Sequence, residues 1–140
     1  MIVMKIEVKD GKIIVYLYQY RFSFKDKEIL HKEIKTLFIK LIRKYNLELF
    51  GFNKVNIYEN KIYGAILEIE NVGIDNFYHE IIDLKINVYN DVSFFFEFDD
   101  DYNILNYHDI QMENNRYYLE IKNNDDIINY IEYGKIIYKK

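Results

Sequence analysis

Lys12-Ile-Ile-Val-Tyr-Leu-Tyr-Gln-Tyr-Arg-Phe-Ser-Phe24, followed by Lys25-Asp-Lys-Glu-Ile-Leu-His-Lys-Glu-Ile-Lys-Thr-Leu-Phe-Ile-Lys-Leu-Ile-Arg-Lys-Tyr45, is where the hydrophobic period changes from two to 3.6. Over residues 12–24, Ile14, Tyr16, Tyr18, Tyr20, Phe22 and Phe24 fall on one face of a strand, and Ile13, Val15, Leu17, Gln19, Arg21 and Ser23 on the other. Both faces begin apolar, which predicts a central strand. Over residues 25–45, Leu30, Ile34, Leu37, Phe38, Leu41 and Tyr45 line up as one helical stripe. Asp26 stands where a capping acid belongs, and Asn46 and Gly51 supply the stop. A helix with one apolar stripe must cover a sheet face, and the Tyr16/Tyr18/Tyr20/Phe22 face is the expected one.

Working outward, residues 4–8 alternate with period two, and Asp10-Gly11 carries the signal of a type I′ hairpin turn into the long strand. Downstream, residues 55–58, a turn at Glu59-Asn60 and residues 61–70 read as a second hairpin, with Gly64 marking a bulge or a close backbone approach. The first half thus spells ββαββ. Residues 71–76, polar and containing Gly73, are the hinge in the pattern. Beyond it, residues 81–89 and 92–98 around Asn90-Asp91 predict a third hairpin, and 104–112 and 116–122 around Asn114-Asn115 a fourth. A short helix over 125–133, ended by Gly134, and a strand over 135–138 complete the reading. The expected fold class is α+β with mostly antiparallel sheet, one domain over residues 1–140 with sub-halves 1–70 and 77–140.

The 140 residues are 50% hydrophobic, enough for one core and unlike a disordered chain. No run approaches the roughly 18 apolar residues of a membrane span, the start lacks a secretory layout, and there is no cysteine, so the expected setting is the cytoplasm. The wealth of Ile, Asn, Lys and Tyr, with no Pro or Trp, follows AT-rich coding, which weakens any argument from tyrosine abundance alone.

Catalytic patterns are missing from the chain. Ser23, Ser93 and Thr36 are its hydroxyl nucleophiles and none sits in a G-x-S-x-G elbow. The glycines at 11, 51, 64, 73 and 134 are too scattered to cradle a phosphate. His31, His79 and His108 show no H-x-x-x-H spacing, although His108-Asp109 forms a pair. Asp99-Asp-Asp101 followed by Asn103 opens like a calcium loop, but Ile104 and Ile110 stand where an EF-hand needs Gly and Glu. The expectation is a chain that is not an enzyme and has no cofactor and no metal.

Charge points to binding instead. Residues 1–70 hold thirteen Lys/Arg against nine Asp/Glu, whereas residues 71–140 hold six against fourteen. The helix sets Lys32, Lys35, Ile39, Lys40 and Arg43 outside its apolar stripe. The second half interleaves acids with tyrosines, and Asp99, Asp100, Asp101, Tyr102, Tyr107, Tyr117, Asp125 and Asp126 are its candidate contact residues. Such a surface repels phosphate and attracts cationic grooves. The expected function is therefore a protein-binding module, an adaptor or inhibitor docking its acidic surface on a basic target, in the manner of a phage or mobile-element inhibitor of a nucleic-acid-handling enzyme. Two alternatives stand beside it: the acidic half faces the basic helix within the monomer or across a homodimer, or the lysine-rich helix binds RNA or DNA.

Overall fold

The computed structural model describes residues 5–73, 81–98, 110–131 and 134–139. Asp10 (φ 53°) and Gly11 (φ 75°) both occupy the left-handed region, as a type I′ turn requires, and join β1 (Lys5–Lys9) to β2 (Lys12–Tyr18). Helix α1 (Lys27–Tyr45) starts where Asp26 accepts a hydrogen bond from the Glu28 N–H at 2.8 Å, and ends at Asn46, in the left-handed conformation at φ 54°. Glu28 in its first turn and Arg43 and Lys44 in its last complement the helix dipole. Then follow β3 (Gly51–Asn60), β4 (Gly64–Gly73), β5 (Ile82–Tyr89), β6 (Phe95–Phe98), β7 (Gln111–Glu113), β8 (Arg116–Glu120), α2 (Asn124–Tyr130) and β9 (Lys135–Ile137).

The strands make two sheets. The first has the order β1-β2-β4-β3-β5 and is antiparallel except for β3 with β5, which run parallel; the second has the order β7-β8-β6-β9 and is antiparallel. Helix α1 packs on one face of the first sheet through Leu30, Ile34, Leu37, Phe38 and Leu41, against Val15, Leu17, Val55, Ile57, Leu67 and Ile69. The second sheet and α2 pack on the other face, where Ile14, Tyr16, Tyr58, Tyr63 and Ile66 meet Phe94, Phe96, Phe98, Leu119 and Ile127. The α+β class with its one long and one short helix is as the sequence predicts.

Four sequence readings need correction. The tyrosine face of β2 does not lie beneath the helix: Val15 and Leu17 do, and Tyr16 and Tyr18 face the second sheet. A sheet covered on both faces needs both stripes apolar, and here the aliphatic stripe meets the helix while the tyrosines fill the space between the sheets. The strand also stops at Tyr18 and not at residue 24, because Gln19 turns to φ 60° and its N–H donates to the Tyr63 carbonyl at 2.7 Å. That break reverses the alternation, so Tyr20 and Phe22 join the helix-side core.

The third hairpin does not form. Strand β5 pairs with β3 from Gly51↔Ile82 to Tyr58↔Tyr89, and β6 belongs to the other sheet. The chain crosses between layers at Val92, whose N–H donates to the Glu59 carbonyl (3.0 Å) and whose carbonyl accepts from Asn60 Nδ2 (2.8 Å). In the second hairpin the reversal uses Lys61, Ile62 and Tyr63 in place of Glu59-Asn60, with the Asn60 side chain accepting from the N–H groups of Ile62 and Tyr63 at 2.9 Å each. Gly64 is a close approach, since a Cβ there would meet the Leu17 carbonyl oxygen at 2.6 Å. The fourth hairpin keeps its turn at Asn114 and Asn115, both at positive φ, with β7 described over Gln111–Glu113.

Candidate peptide-docking edge

Of the acidic candidates, Asp99, Asp100, Asp101, Tyr102 and Tyr107, together with His79, His108 and Asp109, lie outside the described residues. Asp125 is exposed. Asp126 is the reciprocal partner in the α2 capping box, accepting from the Lys122 and Asn123 N–H groups at 3.1 and 3.3 Å while Asn123 accepts from its own N–H at 3.0 Å. Tyr117 packs against the core between the sheets. On α1, Lys32, Lys35, Ile39, Lys40 and Arg43 are all exposed.

A polar cluster that sequence reading missed lies between the layers. Glu68 on β4 is only 5% exposed, and accepts hydrogen bonds from the Tyr138 hydroxyl at 2.8 Å and from Asn56 Nδ2 at 3.4 Å, with Lys139 at 3.4 Å and Lys12 at 3.6 Å. Burial alone pushes its carboxyl up, but these hydrogen bonds and charges outweigh it and hold the group below the usual glutamate range. The same surroundings, burial first and the Glu68 charge second, push the Tyr58 hydroxyl up to about 12. Burial and the hydrogen bond to Glu68 raise Tyr138 further. An adjoining cleft of about 220 Å³, lined by Lys9, Lys12, Tyr16, Glu68, Tyr138 and Lys139 among others, has Lys12 and Lys139 paired with Glu68. This cluster fastens the chain beyond β9 to the first sheet. Among the described residues no three His, Asp or Glu side chains gather as a metal site needs.

The open feature is the outer edge of β5. Five strands at about 4.8 Å spacing span roughly 19 Å, whereas one helix with its side chains is about 10–12 Å wide. Helix α1 therefore cannot cover the whole sheet. Ile82 at the start of β5 is buried, while Leu84, Ile86 and Val88, on the same face, are only half-buried. They form an apolar ledge beside the helix. A groove of about 350 Å³ runs there, lined by Leu30, Leu84, Ile86 and Val88 with Lys27, His31 and Lys85 at its rim. Lys27, His31 and Lys35 follow at four-residue spacing and share this flank of α1.

The backbone of β5 is equally specific. The Gly51 N–H donates to the Ile81 carbonyl at 2.6 Å, and the register pairs Gly51 with Ile82. In a parallel ladder this aims the N–H and C=O groups of residues 83, 85 and 87 at β3 and those of Leu84, Ile86 and Val88 away from it. The outward groups thus belong to the residues of the apolar ledge. Among the described residues no strand pairs with them. Among the described residues the other sheet margins are blunter: β1 carries a lysine at either end of Lys5–Lys9, and β7 and β9 have three residues each. Strand β5 has eight.

No helix among the described residues is long and apolar enough to cross a membrane. Comparison of the chain with protein-family models, with curated proteins and with solved structures finds no match.

Proposed function

We propose that this chain is a non-enzymatic protein-binding module, an adaptor or inhibitor, that takes hold of its partner along the outer edge of β5. The observation that carries the reading is the coincidence, on one eight-residue strand, of outward backbone groups and a half-covered apolar ledge. A long edge of this kind is a template for another chain, and proteins that do not use it shorten it or cover it. The cysteine-free composition suits a reducing compartment, so the cytoplasm is the proposed setting.

The acidic second half offers a second reading of the same class, favoured by the exposure of Asp125 and by the run Asp99-Asp-Asp101: a basic target site docks there. The two readings separate in one experiment. The tagged full chain is incubated with lysate, with and without nuclease, and bound proteins are quantified by mass spectrometry. A stoichiometric partner retained by the wild type and lost on Ile86→Pro supports the β5 edge. Loss only on joint charge reversal of Asp99, Asp100, Asp101 and Asp125 moves the contact to the acidic surface. Capture that vanishes with nuclease, and on changing Lys32, Lys35, Lys40 and Arg43 to Ala, makes the chain a nucleic-acid binder and overturns both.

A further inference from the structure

Resting on the β5-edge reading, we infer that the occupant of the groove is an acidic segment in extended conformation, which adds to the first sheet as a sixth strand beside β5. Three independent features converge on it. The outward N–H and C=O groups of Leu84, Ile86 and Val88 ask for a strand, because only extended backbone presents donors and acceptors at the matching two-residue repeat. The ledge made by the same residues asks for an apolar side chain at every second position of that strand.

Charge then selects between strands of equal shape. The helix wall of the groove carries Lys27 and His31, with Lys35 on the same flank, and Lys85 projects from the opposite face of β5. Asp83 is the single acid on β5. A segment that alternates aliphatic residues with glutamates lays the former on the ledge and sets its carboxylates within reach of Lys85 on one face and of the helix flank at its ends. A cationic strand meets repulsion at each of these positions.

A second copy of this chain fits less well. Two β5 strands paired about a two-fold axis perpendicular to the sheet would bring two basic α1 flanks to the same side. Both ledges would remain uncovered between the helices, since each α1 sits over its own sheet and only reaches the margin of β5.

The test uses the full chain and two fluorescein-labelled ten-residue peptides, one alternating Val with Glu and one alternating Val with Lys, followed by fluorescence anisotropy. The Val–Glu peptide is expected to bind saturably and at least ten-fold more tightly than the Val–Lys peptide. Joint Lys27→Glu and Lys85→Glu substitution, both on exposed side chains, is expected to reverse that order. Ile86→Pro removes one outward N–H and no bond to β3, and is expected to abolish binding while the circular dichroism spectrum is kept. Equal binding of both peptides, binding of neither, or binding indifferent to Ile86→Pro overturns the inference. So does concentration-dependent dimerisation in sedimentation velocity that Ile86→Pro removes, which would name a second copy as the occupant. If neither peptide binds but Ile86→Pro still releases the lysate partner, the strand chemistry is wrong and the β5-edge reading stands. If Ile86→Pro leaves that partner bound as well, both fail.

Discussion

Gly64 and Glu68, four residues apart on β4, show opposite degrees of legibility. A glycine inside an alternating apolar strand announces itself, and the alternatives of bulge or close approach resolve in favour of the approach, with φ 123° and the Leu17 carbonyl where a Cβ would go. Backbone blocks the space on that side, so Gly64→Ala is expected to cost about 3 kcal/mol, read as a lowered urea midpoint at unchanged slope. Glu68 gave a fainter signal, a lone acid among Ile66, Leu67 and Ile69, and its partners Lys12, Tyr138 and Lys139 are too distant in sequence for any local pattern to connect them. Because its folded-state carboxyl is held low, its contribution is present above the ordinary glutamate range and is lost as pH falls through the lower value. Glu68→Gln should therefore cost about 1–2 kcal/mol at pH 7 and progressively less below about pH 4. Glu59 has the opposite sign. Burial raises its carboxyl and one of its oxygens is buried without a partner, so ionising it opposes folding as pH rises. Glu59→Gln should raise the melting temperature at pH 7, with the gain fading in acid. One thermal series across pH 3–7 on both variants checks the pair.

At the level of elements, what could be read was whatever a segment declares about itself. Helix α1 carried its own cap in Asp26 and its own stop in Asn46, and the Asp10-Gly11 turn leaves the chain one way to reverse. Pairing partners were less legible. The alternation of Ile82, Leu84, Ile86 and Val88 with Asp83, Lys85, Asn87 and Tyr89 identifies a strand with one buried face, yet a parallel neighbour at β3 and an antiparallel one at β6 demand the same pattern. The tyrosine stripe of β2 misled for a related reason: with only one long helix visible, the bulkiest stripe was assigned to it, although four further strands stood ready to form a second layer. The β5 ladder makes its own prediction. Proline at Lys85 deletes an N–H bonded to β3 and should cost about 3 kcal/mol, whereas proline at Ile86 deletes one aimed outward and should cost less, although it trims a half-buried side chain that Lys85 does not have to lose. Paired urea titrations decide it.

For the molecule as a whole, the sheet sandwiched between a helix and a second sheet places its well-buried strand β4 in the middle and β5, whose apolar ledge the helix only half covers, at one margin. The charge asymmetry between the halves was visible in composition, but the groove it bears on was not, since the groove depends on how far one helix extends across five strands. That margin also fixes a pattern in time. In deuterated water the amides of Lys85 and Asn87 are shielded by β3, whereas those of Leu84, Ile86 and Val88 face solvent, so exchange along this one strand should alternate residue by residue between slow and fast. A chain laid against it would silence the fast set and leave the slow set as it was. The edge therefore carries its own reporter of occupancy, legible by NMR before any partner has a name.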